Sequence, residues 1–275
     1  MEPLHWSVDP EITTLFGVFP IKYYGLFFVT GLLLSYTVLK KMFLSENILL
    51  KNLDTLTNYV FIGTLVGARL GHCLFYDFAY FSQHPLEIFL PFKISPEGWD
   101  FTGFAGLASH GGAIGILIAI SLFVIKTKTP FLWIMDKVSI VIPIGCAFIR
   151  FGNFMNSEIY GKPTNTNYGV VFVKDDLIAR HPTQLYEAFS FLAIFAILWY
   201  LNKKKIFFQQ NGVVFGIFLT LMFSARFIIE FSKENQVAFE DAMTLNMGQL
   251  LSIPFIIVGI VLVTLRILKK EAVPS

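Results

Sequence analysis

Apolar runs separated by short polar segments fill almost the whole chain. Each run is about 20 residues long, the length at which a helix crosses a ~30 Å hydrocarbon layer. The pattern predicts seven spans, at about 21–39, 57–76, 107–125, 130–150, 184–201, 212–231 and 247–267. The polar segments alternate in sign. Lys40, Lys41 and Lys51 follow the first span, Lys126 and Lys128 the third, Lys203, Lys204 and Lys205 the fifth, and Arg266, Lys269 and Lys270 the last. The alternate connections carry Glu2, Asp9 and Glu11, then Asp77, Glu87, Glu97 and Asp100, then Asp175 and Asp176, then Glu234, Glu240 and Asp241. Basic loops stay in the cytoplasm. The expected fold class is therefore all-α: a polytopic membrane protein with seven transmembrane helices, its N-terminus outside and its C-terminus cytoplasmic. Residues 1–275 read as a single integral-membrane domain, with the longer loops, about 77–106 and 151–183, forming a small outer-face arm.

Composition sharpens the class. The chain is 55% hydrophobic and 15% charged, where a soluble domain carries about 25% charge. Its net charge of +2 argues against bulk nucleic-acid binding. Cys73 and Cys146 lack the spacing of a metal site and read as packing residues. The acidic N-terminal stretch has no positive n-region of a cleavable signal peptide. No long internal repeat is evident, which weighs against an inverted-repeat transporter.

Four polar clusters stand at membrane depth, where an ionisable residue costs about 2.5–3.5 kcal/mol and needs a partner or a wet cavity. In GARLGHCLFYD, Arg69, His72 and Tyr76 share one helical face; headgroup binding and snorkelling both fit. In SHGGAIG, His110 opens the third span beside paired glycines, where a helix N-terminus favours an anion and a neutral, proton-accepting imidazole. In RFGNFMNSEIYG, Arg150 and Asn153 fall nearly on one helical face, while Asn156 and Glu158 point elsewhere. These groups converge only if the helix breaks near Gly152 or just after Asn156. In SARFIIEF, Arg226 and Glu230 are spaced to pair within a helix, or Arg226 faces a cavity as an anion site. Three span arginines near one side suggest an anionic ligand at the outer leaflet, with lipid phosphate the nearest abundant candidate.

These motifs are familiar together. From end to end the chain resembles the bacterial phosphatidylglycerol–prolipoprotein diacylglyceryl transferase family. The most specific match is Arg150, Gly152, Asn153, Phe154, Asn156, Glu158 and Gly161. Tyr24-Gly25-Leu26, Gly67 with Arg69, His110-Gly111-Gly112, His181-Pro182 with Gln184-Leu185-Tyr186-Glu187, Arg226 with Glu230, and Met247-Gly248-Gln249 support it. Three departures stand out: Ile149 where a glycine usually precedes the arginine, Ser109 where an aromatic commonly precedes the histidine, and Ser232-Lys233-Glu234-Asn235 where the family often shows Arg-Pro-Asp.

The resemblance implies an enzyme of the bacterial inner membrane with its active site toward the outer leaflet. It would join the lipobox cysteine of a preprolipoprotein signal peptide to the diacylglyceryl group of phosphatidylglycerol, releasing glycerol phosphate, with no cofactor and no metal. The catalytic candidates are His110, with Tyr24 as the rival base, and Arg150 and Arg226 on the phosphate. Asn153, Asn156, Glu158, Gly161, Arg69, Tyr76 and Glu230 are the candidate phosphatidylglycerol-binding residues. A transporter or channel for an anionic solute is the rival class. It predicts polar residues along the cytoplasmic half as well, where Asp136 and Lys137 are the main candidates.

Overall fold

A computed structural model describes residues 3–15, 19–90, 92–95, 98–101, 106–166, 168–204, 210–234, 240 and 243–271. Glu2, Glu97, Lys205, Asn235 and Asp241 lie outside the described residues, as do the side chains of Asp100, Ser109, Lys269 and Lys270. The helices are α1 (Tyr23–Ser45), α2 (Leu50–Phe75), α3 (Phe78–Gln83), α4 (Ser109–Thr127), α5 (Phe131–Met155), α6 (Thr183–Lys204), α7 (Val213–Ile229) and α8 (Met247–Glu271). Six of them, α1 and α4 to α8 without α3, are long and apolar enough to cross a membrane. The remaining expected span, 57–76, falls in α2. Its 26 residues reach ~39 Å, but Asn58, Thr64, Arg69 and His72 dilute its apolar character.

Among the described residues, seven short strands join the helices, which the all-α expectation did not include. They are β1 (Leu4–Trp6), β2 (Glu11–Leu15), β3 (Phe19–Lys22), β4 (Phe92–Ser95), β5 (Gly98–Phe101), β6 (Val170–Phe172) and β7 (Ala179–Arg180). β1 lies parallel to β6, and β6 pairs antiparallel with β7. β2 with β3 and β4 with β5 form antiparallel pairs. Strands of two to five residues are too short to print a period-two pattern.

The chain divides into two compact units, one of Met1–Leu39 with Met135–Ser275 and the other of Lys40–Ile134. In the second unit, α2 and α4 meet through glycines. A Cβ on Gly63 would stand 2.6 Å from the Gly115 carbonyl oxygen, and one on Gly71 would stand 2.6 Å from Gly111 Cα. Small residues let helix backbones touch in this way. Beside the seam runs an apolar furrow of about 550 Å³, bordered by Ile62, Val66, Leu74, Ile114, Ile118 and Leu122.

In the first unit, Phe154 at the end of α5 packs with Val170 and Phe172 of β6, Trp6 of β1, Tyr160 and Leu185. The Trp6 and Phe154 rings are 4.5 Å apart. This apolar pad fixes the far end of α5, where the polar cluster begins. At its near end Asp136 is buried and accepts the Gly212 and Phe215 backbone N–H groups at 2.6 and 2.7 Å. It caps α7 from a neighbouring helix, satisfying donors that a helix start leaves open. Lys137 is buried as well. Asp136 is thus tied into helix packing, which weakens the support for the polar path that the rival class predicts. Asp136→Ala should destabilise the protein by about 2–3 kcal/mol, since two buried N–H groups lose an ionised acceptor. A thermal melt in detergent would check it.

Candidate functional site

α5 runs unbroken through Arg150 and Gly152 and ends at Met155. Of the two predicted break points, the chain uses the second. The Ser157 N–H donates to the Phe154 carbonyl at 3.1 Å, and the Glu158 N–H reaches back to the Asn153 carbonyl at 3.0 Å. This is the double bond of a Schellman helix end. Its left-handed position is held not by glycine but by Ser157, at φ 56°, and Ile159 follows at φ 59°. A β-branched residue in that region is strained, and such strain gathers where surrounding structure overrides it.

The folded-back end converges the side chains. Asn153 Nδ2 donates to Glu158 Oε1 at 2.7 Å, and Asn156 Nδ2 points to the same oxygen at 3.4 Å. Arg150 Nη1 donates to Asn153 Oδ1 at 3.0 Å. Gln184 Nε2 on α6 holds the Glu158 carbonyl at 2.7 Å, and Thr183 Oγ1 holds that of Ile159 at 3.0 Å. Glycines allow the close approaches. Gly152 faces Tyr24, which lies within electrostatic reach of Glu158 and Arg150. Gly161 is wedged against the Ser232 carbonyl, Thr183 and His181, and it bridges to Lys233. A side chain at either position would displace its neighbours.

Behind Arg150 lies a charge network. Glu187 on α6 is almost wholly buried. Its Oε2 stands 2.6 Å from Arg150 Nε, an ion pair whose N–H points off line, so that this oxygen accepts no hydrogen bond. Its Oε1 accepts from Lys233 Nζ at 2.8 Å. Lys233 Nζ also lies 3.5 Å from Glu230 Oε2. Asn156 Oδ1, Ser157 Oγ, Gln184 Oε1 and Glu230 Oε2 are buried polar atoms without a hydrogen-bond partner among the described residues. Such atoms are costly unless something donates to them. Farther out, Arg180 bridges Asp176 and Glu234, with Nε–Oδ2 at 2.9 Å and Nη1–Oε1 at 2.6 Å. The Arg180 guanidinium holds the Asp176 carboxyl below its ordinary range.

Of the two readings of SARFIIEF, the Arg226–Glu230 pair is not formed among the described residues. α7 ends at Ile229 and Glu230 starts a 3-10 turn, so its carboxylate turns inward toward Gly248 and Lys233. Arg226 is left exposed on the helix.

In the other unit, His110 is the second residue of α4 and exposed, at the predicted helix start. Arg69 is engaged differently from expectation. Its Nε and Nη2 donate to the Ile88 and Glu87 carbonyls at 3.0 and 2.6 Å, and its guanidinium lies over Phe81. It fastens the segment that follows α2. His72 stacks on the exposed Tyr76.

Glu187 and Lys233 are the members of the network that motif reading did not assign to the site. A glutamate in the first turns of α6, within the motif Gln184-Leu185-Tyr186-Glu187 and ahead of an apolar run, is a signal that could have pointed to the first. The pairing of Lys233 with Glu187 could not be read from sequence, since the two lie 46 residues apart.

Fold and site define a multi-pass helical membrane protein that carries a polar, charge-paired cluster at its helix ends. Comparison with known proteins gives the family. The family model described as prolipoprotein diacylglyceryl transferase matches residues 10–265. Two relatives are 45% identical. The Bacteroides fragilis protein is covered over 93% of its length by 94% of this chain, and the Tolumonas auensis protein over 99% by 97%. A Porphyromonas gingivalis relative is 43% identical, with 93% of it and 94% of this chain covered. All three are named phosphatidylglycerol–prolipoprotein diacylglyceryl transferase. The chain belongs to the prolipoprotein diacylglyceryl transferase family.

Proposed function

We propose that this protein transfers the diacylglyceryl group of phosphatidylglycerol to the lipobox cysteine of a preprolipoprotein, the first step of lipoprotein maturation. The observation that carries this reading is the convergence of Arg150, Asn153, Asn156 and Glu158 at a broken helix end, in a chain of this family. The substrate thiol attacks the glyceryl carbon, its sulfur–carbon bond forms, and the carbon–oxygen bond to phosphate breaks. Glycerol phosphate leaves with the bonding pair, and the thiol proton passes to a base.

A thiol with a pKa near 8.5 needs help to become a thiolate, and the departing phosphate needs cations. Arg150, held by Asn153 and Glu187, and Arg226, exposed on α7, supply the cations. His110 at the start of α4 takes the proton, with Tyr24 as the rival base. Asn156, Glu158 and the unpartnered acceptors near them suit the hydroxyl donors of a glycerol headgroup. Glu230 balances the cations, and Gly161 keeps the surrounding backbone close. Tyr76 is free to meet headgroups, while Arg69 serves by holding the outer loop. α2 acts as the seventh span, giving an outside N-terminus and a cytoplasmic C-terminus. The whole chain works as one transferase domain in the inner membrane, its chemistry near the outer leaflet. The furrow along α2 and α4 gives acyl tails an apolar bed.

Purified protein mixed with phosphatidylglycerol and a lipobox peptide should add one diacylglyceryl mass to the peptide, and none when the cysteine is replaced by serine. A peptide left unmodified by folded protein would overturn the reading. In the same assay His110→Gln should slow transfer by about 10²-fold. It should also change the shape of the pH–rate profile, and an unchanged profile would remove His110 as the base.

A further inference from the structure

We infer that Lys233 is a positioning residue for the transfer, acting on Arg150 through Glu187. The inference rests on the reading of Arg150 as a phosphate-binding group.

Glu187 is a carboxylate shared between two cations. One oxygen holds Lys233 Nζ at 2.8 Å and the other faces Arg150 Nε at 2.6 Å. Lys233 also balances Glu230, whose Oε2 is 3.5 Å away and lacks a hydrogen-bond partner. The network therefore holds two positive and two negative groups. Lys233, Glu187 and Glu230 are all buried, where an unbalanced charge is strongly felt. With Lys233 in place, Glu187 holds only the Nε edge of Arg150, and Nη1 stays on Asn153 Oδ1 at 3.0 Å. The rest of the guanidinium fork remains available to a phosphate.

Without Lys233, both carboxylates lose their shared cation, and Arg150 becomes the nearest remaining counter-ion. The guanidinium is drawn off the substrate toward Glu187. Displacements of about 1 Å in a group that meets the substrate can cost on the order of 10²-fold in rate. The backbone supports a fixed post for this lysine. The Lys162 N–H donates to the Ser232 carbonyl at 2.8 Å, and residue 233 bridges to Gly161.

The test is a double-mutant cycle in the purified transfer assay, read as kcat and KM per folded molecule. Lys233→Met is expected to lower kcat by at least about tenfold, with a smaller change in KM for phosphatidylglycerol, and Lys233→Arg to restore most of the rate. In a Glu187→Gln background, Lys233→Met should cost no more than about twofold, because the residue it acts through is already neutral. That background also relieves the buried charge imbalance, so it carries the test if Lys233→Met alone does not fold. A further tenfold loss in the Gln background, or a normal kcat for folded Lys233→Met, overturns the inference. Arg150→Ala measured alongside separates the two readings. If Arg150→Ala is slow and Lys233→Met is normal, only the present inference falls. If Arg150→Ala is normal, the phosphate role falls first and takes this inference with it.

Discussion

Arg150→Ala is expected to lower kcat for diacylglyceryl transfer by about 10²–10³-fold, the usual cost of removing one group aimed at developing charge. The variant should nevertheless fold. Glu187, the carboxylate that faces Arg150, keeps its second oxygen on Lys233 at 2.8 Å, so no wholly unpaired buried charge is left behind. Asn153 loses one donor but keeps Glu158 at 2.7 Å. A variant that folds, with a collapsed rate per folded molecule, is therefore the expected outcome. Arg150→Lys should recover only part of the loss. An ammonium restores the charge but not the flat fork that can hold Asn153, Glu187 and a phosphate oxygen at once. If both variants transfer labelled diacylglyceryl at near-normal rates, the phosphate role is wrong.

The site was legible in sequence wherever its groups are close along the chain. Too many polar residues followed an apolar run at 150–158, and helical geometry required a break for them to meet. The chain breaks after Met155, and the groups do meet. His110 could be placed near a helix start from the onset of the third apolar run, and α4 begins at Ser109. What stayed hidden depended on a local turn or on partners far apart in sequence. Spacing allowed Arg226 and Glu230 to pair, but a 3-10 turn beginning at Glu230 swings the carboxylate to Lys233 instead. Arg69 has a plausible face for a lipid, yet the loop carbonyls of Glu87 and Ile88 claim it. Lys233 stands in the segment where the family often shows an arginine, and a point charge cannot bind bidentately as a guanidinium does. Inside the network a compact ammonium reaches Glu187 and Glu230 together. The strands were missed for a different reason. β1 meets β6 across more than 150 residues of chain, and β2–β3 and β4–β5 are hairpins of strands too brief to print an alternating pattern.

The glycines of SHGGAIG separate into two kinds, and the difference can be measured. Gly115→Ala should destabilise the protein by about 3 kcal/mol or more, at the upper end of overpacking effects. Its new methyl would drive into the Gly63 carbonyl oxygen and come within 3.0 Å of Gly67 Cα. Both obstacles are backbone, so no rotamer change can relieve them. α2 and α4 would have to move apart, loosening reciprocal contacts such as those of Gly63 and Gly71 with α4. Gly112 stands beside this seam on the same helix. A methyl there would meet Ala68 Cβ at 3.6 Å and Thr64 at 3.8 Å, which is ordinary contact. Gly112→Ala should therefore be neutral, or stabilising by about 0.5–1 kcal/mol through helix propensity. Thermal melts of the two variants in one detergent give the comparison. If Gly115→Ala melts with the wild type, the close α2–α4 seam is wrong. If Gly112→Ala falls as far as Gly115→Ala, the effect is a general intolerance of side chains near His110 and not backbone contact. Because His110 sits one residue before this seam, a loosened α4 should also misplace its imidazole. Gly115→Ala should then lower the transfer rate of whatever protein stays folded, although residue 115 itself carries no chemistry.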